Sequence, residues 1–269
     1  MDRRDGKTWA VVIPYYNEED YLGRTLETIA GQDLSPDEVV LVDNASTDGS
    51  AAIAKSFADR FTGGEVNLLY EPKPGQAAAL ARGIAEVESD LTAICDADTI
   101  YPPSYLAVAD RLFREGGEET VAVIAFGVSA EDGFGHKMTL AKGRIVSALL
   151  GKQCHGGGYA QAFRTEVLKK VGGYSQALWP YCLKDHELIN RVVKEGRIGY
   201  SSEHWCVASD RRTSRTNVRW TLFERIMYHI TPAAQKDWFF YDFLKSRFEA
   251  RGLSELRLRE REWEQEGTN

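Results

Sequence analysis

The sequence predicts an α/β fold with a mostly parallel central sheet flanked by helices. In the first hundred residues, short aliphatic runs alternate with segments that have helical spacing. Strands separated by single helices form βαβ units and therefore a parallel sheet. The chain has 269 residues, of which 43% are hydrophobic and 27% charged. This composition is typical of a globular protein with a buried core and excludes a disordered chain.

Four aliphatic runs in the N-terminal half predict strands within this sheet. The runs at 9–13, 39–42 and 91–95 lack the alternation of a strand with one solvated face, which indicates that they are buried. The runs are residues 9–13, 39–42, 66–70 and 91–95. Because parallel strands end at the same edge of a sheet, we expect ligands to bind beyond their carboxyl ends.

The segments between these strands predict helices. Asn17 can cap a helix that begins at Glu18, since acidic residues in the first turn favour the positive end of a helix. A second helix carries Ile53 and Phe57, and an alanine-rich helix follows over 76–87.

The second half of the sequence is less regular. Strand-like runs span 121–128, 159–163 and 198–207, the last of them at a sheet edge, and 185–194 has an apolar helical face. Beyond residue 210, arginines interleave with aromatic and aliphatic residues. This pattern favours a helical extension that packs onto the parent domain, although it also suits contact with a membrane surface.

Charge and cysteine usage exclude several classes of function. The formal net charge of −7 lacks the basic character of a nucleic-acid-binding protein. The four cysteines form no CxxC pair, so no zinc or dithiol motif is present, and free thiols suit a reducing compartment. No signal-peptide core and no run of ~20 apolar residues occur, so we expect a cytoplasmic protein.

Acidic residues follow two of the predicted strands. Asp96 and Asp98 come directly after 91–95, and such a DxD pair can share one hard cation, Mg²⁺ or Mn²⁺. Asp43 can accept hydrogen bonds from a ribose hydroxyl or a base edge. Asp48 either takes part in the same site or caps the next helix.

The loop after the first strand reads Pro-Tyr-Tyr-Asn-Glu over 14–18. It has neither the GxGxxG pattern of a dinucleotide-binding loop nor the GxxxxGK[ST] pattern of a P-loop. A dinucleotide-dependent dehydrogenase and a P-loop NTPase are therefore excluded. The loop also argues against a nucleotidyltransferase, which needs a basic glycine-rich loop there.

Several motifs occur in a fixed order along the chain. They lie at 12–19, 42–50, 75–83 and 96–98, with looser ones at 158–164, 171–174 and 184–191. In this order and spacing the chain resembles the family 2 glycosyltransferases, which have a GT-A fold with a Rossmann-like sheet. The resemblance implies a GT-A domain over 1–210, divided into a nucleotide-sugar half (1–98) and an acceptor half (99–210), and a helical extension over 211–269.

The resemblance further implies inverting, metal-dependent transfer of a sugar from a nucleotide-diphosphate donor, usually a UDP-sugar. Asp98 would bind the Mn²⁺ or Mg²⁺ ion directly, and Asp96 would hold the ribose or support the metal indirectly. Asp185 matches the general base of the family. The donor side would comprise Pro14, Tyr15, Glu18, Asp43, Asp48, Gly75, Arg82, Asp96, Ala97 and Asp98.

The sequence departs from the family pattern at three places. Lys184 stands where the family often has Glu before its catalytic Asp. Arg82 stands where the family often has Asn, so Arg82 either contacts a phosphate or faces solvent. The usual late metal-binding His is missing, which leaves Asp210 or His204 as a third ligand. These departures keep open a donor-binding protein that has lost catalysis.

The acceptor side has four candidate residues: His155, Gly157, Gly158 and Trp179. Glycine lets a backbone approach a ligand closely, so the His155 loop suits either acceptor binding or a flexible turn. Trp179 can stack on a sugar ring or pack in the core. The acceptor is a soluble glycan or metabolite, or a lipid-linked molecule. Peripheral membrane contact through the C-terminal extension and a homodimer are further hypotheses.

Overall fold

The computed structural model describes residues 6–128, 133–149, 157–208 and 221–254. Within these ranges a seven-stranded sheet forms the centre of the protein. In sheet order its strands are β3 (Glu65–Tyr70), β2 (Glu38–Asp43), β1 (Trp9–Tyr15), β4 (Leu91–Ile94), β8 (Gln161–Arg164), β6 (Thr120–Ile124) and β9 (Arg197–Gly199). Only β8 runs antiparallel to its neighbours. The predicted mostly parallel α/β sheet is therefore confirmed.

A smaller sheet lies beside the first. Its strands are, in sheet order, β5 (Thr99–Ile100), β10 (Trp205–Ala208) and β7 (Phe126–Val128). The single strand expected over 121–128 is therefore two strands. The chain changes partner between them, because the Ala125 amide donates to the carbonyl of Ala160 whereas the Phe126 amide donates to the carbonyl of His204. The strand expected over 198–207 likewise divides into β9 and β10. Both predictions of a single strand were wrong.

Helices cover both faces of the large sheet. They are α1 (Leu22–Ala30), α2 (Ser50–Ala58), α3 (Gln76–Glu86), α4 (Tyr105–Gly116), α5 (Phe134–Leu149), α6 (Thr165–Lys170) and α7 (Lys184–Val192). The prediction that Asn17 caps α1 was wrong. Asn17 has a φ of 52° and its Oδ1 accepts from the Thr47 amide at 2.8 Å, so it joins two loops and α1 begins later, at Leu22.

Two apolar layers enclose the central strand β1. Val11 and Ile13 belong to the layer formed with α1 and α4, whereas Ala10 and Val12 belong to the layer formed with α3 and α7. Burial on both faces explains why β1 reads as an unbroken apolar run. The strand β3, by contrast, forms the sheet edge and exposes Tyr70.

The C-terminal helices form a third apolar cluster with the segment before α7. These helices are α8 (Leu222–Ile230), α9 (Lys236–Trp238), a π-helical turn (Phe239–Leu244) and α10 (Lys245–Ala250). Phe239, Phe240 and Phe248 are buried against Trp179 or its neighbours. The extension thus packs onto the rest of the chain, as favoured from the sequence. None of the helices in the described ranges combines the length and apolar character needed to cross a bilayer.

Candidate active site

The carboxyl ends of β1, β2 and β4 meet at one edge of the large sheet. Tyr15 pairs with Asp43 in the register of β1 and β2, and Val12 pairs with Ile94 in that of β1 and β4. Asp96 follows β4 after a single intervening residue. The loop after β1, the loop after β2 and the acidic motif after β4 therefore lie side by side, as parallel strand order requires.

The loops after β1 and β2 are held together through Asp48. Its Oδ2 accepts from the Glu19 amide at 3.1 Å and its Oδ1 accepts from the Ser50 amide at 3.0 Å. Burial acts to raise the pKa of Asp48, but the donors of Ser50 and Glu19 lower it below its ordinary value. The Glu18 amide also donates to Ser50 Oγ at 2.8 Å. Asp48 is not the N-cap of α2, because Gly49 holds that position without a side-chain cap hydrogen bond. Asp48 instead joins the two loops next to the start of the helix.

Asp43 is buried and fixed at the end of β2. Its Oδ1 accepts from the Ser46 amide at 2.8 Å, which orients the carboxylate within its own loop. Burial, followed by the charges of Asp43 and Asp48, raises the pKa of Tyr15 well above its ordinary value. The Tyr15 hydroxyl therefore stays protonated and can act as a donor beside a fixed carboxylate.

The start of α3 faces the same edge. Gly75 precedes α3 with a φ of 114°, a conformation that glycine adopts without strain, and its amide donates to Asn44 Oδ1 at 3.0 Å. Asn44 Nδ2 donates to the carbonyls of Glu71 and Lys73, both at 2.8 Å. Sequence reasoning did not single out Asn44, although its position directly after a buried strand was a signal of this role.

The acidic motif Asp96-Ala97-Asp98 is anchored from several sides. Gln76 Nε2 donates to Asp96 Oδ1 at 2.8 Å, and the Asp96 amide donates to the Tyr101 hydroxyl at 2.9 Å. Thr25 Oγ1 donates to the buried carbonyl of Ala97 at 2.8 Å. Asp96 and Asp98 are half-buried, so both carboxylates remain partly accessible on a rigid backbone.

The donor set of this motif fits a hard divalent cation. Across the described part of the chain, no three His, Cys, Asp or Glu side chains are arranged to hold a metal. Mg²⁺ and Mn²⁺ do not need such a cage, because they commonly take one or two carboxylates and complete their shell with phosphate oxygens and water. Asp96 and Asp98 supply oxygen ligands of this kind.

His204 and Asp210 were the two candidates for a third protein ligand of the metal. His204 is fully buried, with its ring 4.6 Å from that of Tyr105, and burial lowers its pKa to about 3. It is therefore a neutral core histidine, and its role as a metal ligand is rejected. Asp210 lies outside the described residues.

Asp185 lies in the first turn of α7, beside the loop that leads into β8. A Cβ built on Gly158 would be 3.5 Å from the Cβ of Asp185 and 3.2 Å from the Tyr174 hydroxyl. That hydroxyl donates to Gln161 Oε1 at 3.1 Å, and Gln161 pairs with Ile94 at the end of β4. Asp185 is thereby connected to the edge of the sheet that carries the acidic motif.

The surroundings of Asp185 keep it ionised. Its side chain is 17% exposed, and His186 Nδ1 lies 3.2 Å from its Oδ1. Burial acts to raise the pKa of Asp185, but His186 and Lys184 outweigh this effect and lower it below the ordinary value. Asp185 is thus a carboxylate at neutral pH, in a position protected from bulk water.

Two predicted site residues lie elsewhere. Arg82 forms an ion pair with Glu86 one turn further along α3, so it faces solvent rather than a phosphate. Trp179 is only 1% exposed and its Nε1 donates to the Cys182 carbonyl at 2.7 Å. Because the C-terminal aromatic residues cover its ring, Trp179 is a core residue and offers no surface to a sugar. Gly157 lies at the loop beside Asp185, and His155 lies outside the described residues.

Comparison with known proteins yields a family and a fold. The family model described as Glycosyl transferase family 2 matches residues 10–172. An undecaprenyl-phosphate 4-deoxy-4-formamido-L-arabinose transferase of Serratia proteamaculans is 34% identical over 113 residues, which are 41% of this chain and 35% of that protein. The chain spans about a third of the length of such curated relatives.

Two solved structures share the fold. The mannosyltransferase PcManGT from Pyrobaculum calidifontis, in complex with GDP-Man and Mn²⁺, has a TM-score of 0.68 at 20% identity, covering 88% of this chain and 71% of that one. TarS 1–349 of S. aureus, in complex with UDP-GlcNAc, has a TM-score of 0.58 at 19% identity, covering 90% of this chain and 73% of that one. The predicted GT-A fold is therefore confirmed.

Proposed function

Because the chain belongs to glycosyl transferase family 2, we propose that it is a metal-dependent, inverting glycosyltransferase. It moves a sugar from a nucleotide-diphosphate donor to an acceptor hydroxyl. The observation that carries this proposal is the convergence of the β1, β2 and β4 ends with Asp185 at one edge of the sheet. A donor-binding site and a base are then neighbours, which is what group transfer requires.

The donor binds across the ends of β1 and β2 in this proposal. The fixed carboxylate of Asp43 accepts hydrogen bonds from the nucleoside, with Pro14, Tyr15 and Glu18 along its border. The amino end of α3 at Gly75 favours the negatively charged diphosphate. UDP-sugars are the first donors to test, and the ligands of the two similar structures, GDP-Man and UDP-GlcNAc, make both nucleotide classes relevant.

The acidic motif holds the metal in this proposal. Asp98 is the direct ligand, and Asp96, oriented by Gln76, supports it. When bound, the divalent cation neutralises the charge that develops on the departing diphosphate. The Mn²⁺ in the complex of the archaeal mannosyltransferase supports this choice of metal.

Asp185 acts as the general base. Its carboxylate takes the proton of the acceptor hydroxyl while the hydroxyl oxygen forms a bond to the anomeric carbon. The bond from that carbon to the diphosphate oxygen breaks, and the nucleoside diphosphate leaves with the electron pair. Attack on the face opposite the leaving group inverts the anomeric configuration. A positioned base contributes roughly 10²–10⁴-fold to such a step.

An assay of sugar transfer tests this function. With Mn²⁺, a panel of UDP- and GDP-sugars and lipid-linked or soluble acceptors, we expect product from the unaltered protein and at least a 100-fold loss in Asp185→Asn, in line with the contribution of a general base. Asp59→Asn, an exposed carboxylate at the far end of α2, is the matched control. Full turnover in Asp185→Asn would reject the base. Donor binding without product in any combination would instead favour a donor-binding protein.

Removal of the metal gives a second measurement on the same samples. A ligand that binds only the folded state raises the melting temperature by mass action. We expect a donor to raise it in Mn²⁺, but much less in EDTA or in Asp98→Ala. Equal shifts with and without EDTA would contradict metal-assisted donor binding through Asp98.

The acceptor is, we propose, presented at a membrane surface. The outer face of α8 and the following turn exposes large apolar side chains beside Arg225, and such amphipathic helices bind membrane interfaces. The exposed residues are Leu222, Phe223, Ile226, Ile230 and Trp238. The name of the Serratia relative, an undecaprenyl-phosphate transferase, supports a lipid-linked acceptor.

Flotation with anionic liposomes tests this contact. We expect the protein to float with the vesicles and Ile226→Glu to remain in the dense fraction, since a charge in the apolar face opposes burial in the interface. Leu68→Glu places the same charge at an exposed leucine of the edge strand β3 and is expected to float normally. Equal flotation of both variants would leave a soluble acceptor as the better hypothesis.

A further inference from the structure

The contact between Asp185 and His186 is unusual for neighbours on a helix. Successive helical residues point about 100° apart, so side chains at i and i+1 do not normally face each other. Yet His186 Nδ1 lies 3.2 Å from Asp185 Oδ1. The His186 ring has therefore turned along the helix surface toward the carboxylate.

The C-terminal helices hold the His186 ring in this orientation. The ring of Tyr228, on α8, meets it edge-on with the centroids 5.6 Å apart. Tyr228 is itself buried; Lys236 Nζ lies 3.9 Å from its ring centroid and donates to its carbonyl. The tyrosine that backs His186 is thus fixed by its own contacts.

We propose that His186 is a positioning residue for the general base. Its Nδ1–H holds Asp185 Oδ1, so that Oδ2 is the oxygen left to take the acceptor proton. The proposal rests on the proposed function, because it gives His186 a role only if Asp185 is the base. The 3.2 Å separation suits an N–H donor facing a carboxylate oxygen, although His186 Nδ1 makes no hydrogen bond of ordinary geometry in this structure.

Charged and titratable groups surround this pair from each element packed against it. They are Lys184 and the Glu187–Arg191 ion pair on α7, Tyr174 beside Gly158, and Tyr228, His229, Arg225 and Lys236 from the C-terminal segment. Glu187 is neutralised by Arg191 at 2.8 Å. The two tyrosines are uncharged at neutral pH, and the remaining groups are basic, so this environment favours the carboxylate form of Asp185.

Removal of the imidazole has two expected consequences. First, Asp185 loses the contact that fixes its rotamer, and loss of orientation in a reacting group lowers turnover. Second, the main group that opposes the effect of burial on its pKa is gone, so the pKa of Asp185 rises. In a plot of kcat against pH, the fall in kcat on the acidic side then moves to higher pH. A histidine with a purely structural role would not produce this shift.

The experiment compares His186→Ala and His186→Asn with Lys55→Ala as the control. We expect His186→Ala to lower kcat about 10-fold, to leave the donor KM within about two-fold, and to move the fall in kcat on the acidic side to higher pH. Asn places an N–H donor close to the position of Nδ1, so His186→Asn should restore most of the turnover. Lys55→Ala removes an exposed basic side chain from α2, far along the chain from this pair, and should match the unaltered protein. Thermal unfolding verifies that each variant is folded.

A measurement without activity separates this proposal from the proposed function. Nitrogen-15 NMR of the imidazole rings reports which nitrogen carries the proton, and the His186 signal is assigned from its absence in His186→Asn. We expect the Nδ1–H form in the unaltered protein and its loss in Asp185→Asn. An Nε2–H form in both proteins, or unchanged kcat and pH profile in His186→Ala, would overturn the role of His186. Full turnover in Asp185→Asn would overturn both proposals.

Discussion

Asp48 lies between the loops that follow β1 and β2, and each of its carboxylate oxygens accepts from a backbone amide. A carboxylate in this position stabilises two loops that would otherwise leave amide donors unsatisfied. The lowered pKa of Asp48 has the same cause. Its effect on donor binding is then indirect, through the loop that carries Asp43.

The stability of Asp48→Ala should therefore depend on pH. At pH 7 we expect the variant to lose about 1 kcal/mol in the free energy of unfolding, as for a lost helix cap. Because the folded-state pKa of Asp48 is lowered, its contribution is present at neutral pH and disappears as pH falls through that pKa, below the ordinary value near 4. Urea unfolding at pH 7 and pH 3 measures the difference between the proteins.

The exposed Asp59 provides the control for this prediction. Asp59→Ala removes a carboxylate from the end of α2 and should change stability by no more than about 0.5 kcal/mol at either pH. An Asp48→Ala loss that is the same at pH 3 and pH 7 would show that the carboxylate charge is not what stabilises the loops.

The sequence predicts the carboxylates of the candidate site but not the residues that orient them. Asp43, Asp96 and Asp98 stand out because the carboxyl end of a buried parallel strand is where ligands bind in such sheets. Asn44 also follows a buried strand, but its partner Gly75 is identified only once the fold brings the two together, and the same holds for Gln76 and Asp96. Arg82 was named as a donor-binding residue, but it forms an ion pair with Glu86 instead. Glu86 lies four residues further along the sequence, yet the sequence does not show whether Arg82 binds this carboxylate or a phosphate.

The approach of α3 to the sheet depends on a single glycine. A Cβ built on Gly83 would lie 2.7 Å from Val12 Cγ1 and 2.9 Å from Val42 Cγ2. Both valines are buried in the sheet and have restricted side-chain rotamers. The helix that begins at the donor edge can therefore pack this closely only with glycine at position 83.

Gly83→Ala should destabilise the protein although alanine is the better helix former. We expect a loss of about 1–3 kcal/mol, because overpacking in a close-packed layer outweighs the helix propensity of alanine. Gly23→Ala in α1 is the matched control, since its Cβ would meet Ile53 Cγ2 at an ordinary 3.8 Å. Thermal unfolding should rank Gly23→Ala at or above the unaltered protein. A stable Gly83→Ala would mean that α3 can shift away from the sheet without cost.

Elements of the first hundred residues were predictable because each is specified locally. Aliphatic runs, turn residues and the alanine-rich α3 segment lie within short windows, and their order gives the parallel sheet. The division of 121–128 into β6 and β7 was not predictable, since it depends on amides near Ala125 that bond to Ala160 and His204 far along the chain. The burial of Trp179 depends equally on remote residues, Phe240 and Phe248.

At the scale of the whole molecule, the C-terminal helices brace the helix that carries Asp185. Tyr241 donates to Glu187 Oε1, and Asn190 Nδ2 donates to Asp237 Oδ1 at 2.8 Å. Glu187 is buried on α7, two residues after Asp185. Its pairing with Arg191 ties α7 in turn to the carbonyls of Val171 and Gly173. The extension thus acts on the site through α7.

Tyr241→Phe tests the contact between the C-terminal helices and α7, because it removes only the hydroxyl that donates to Glu187. Burial and the charge of Glu187 raise the pKa of Tyr241, so the hydroxyl donates at every accessible pH and its removal takes a donor from a buried carboxylate. A hydrogen bond to a charged group contributes about 1.5–3 kcal/mol, and we expect a loss of that size in chemical denaturation together with a lower kcat. Tyr70→Phe removes a hydroxyl from the exposed edge of β3 and should change neither quantity. If Tyr241→Phe loses stability while kcat is unchanged, the C-terminal helices stabilise the fold without orienting α7 through this hydroxyl.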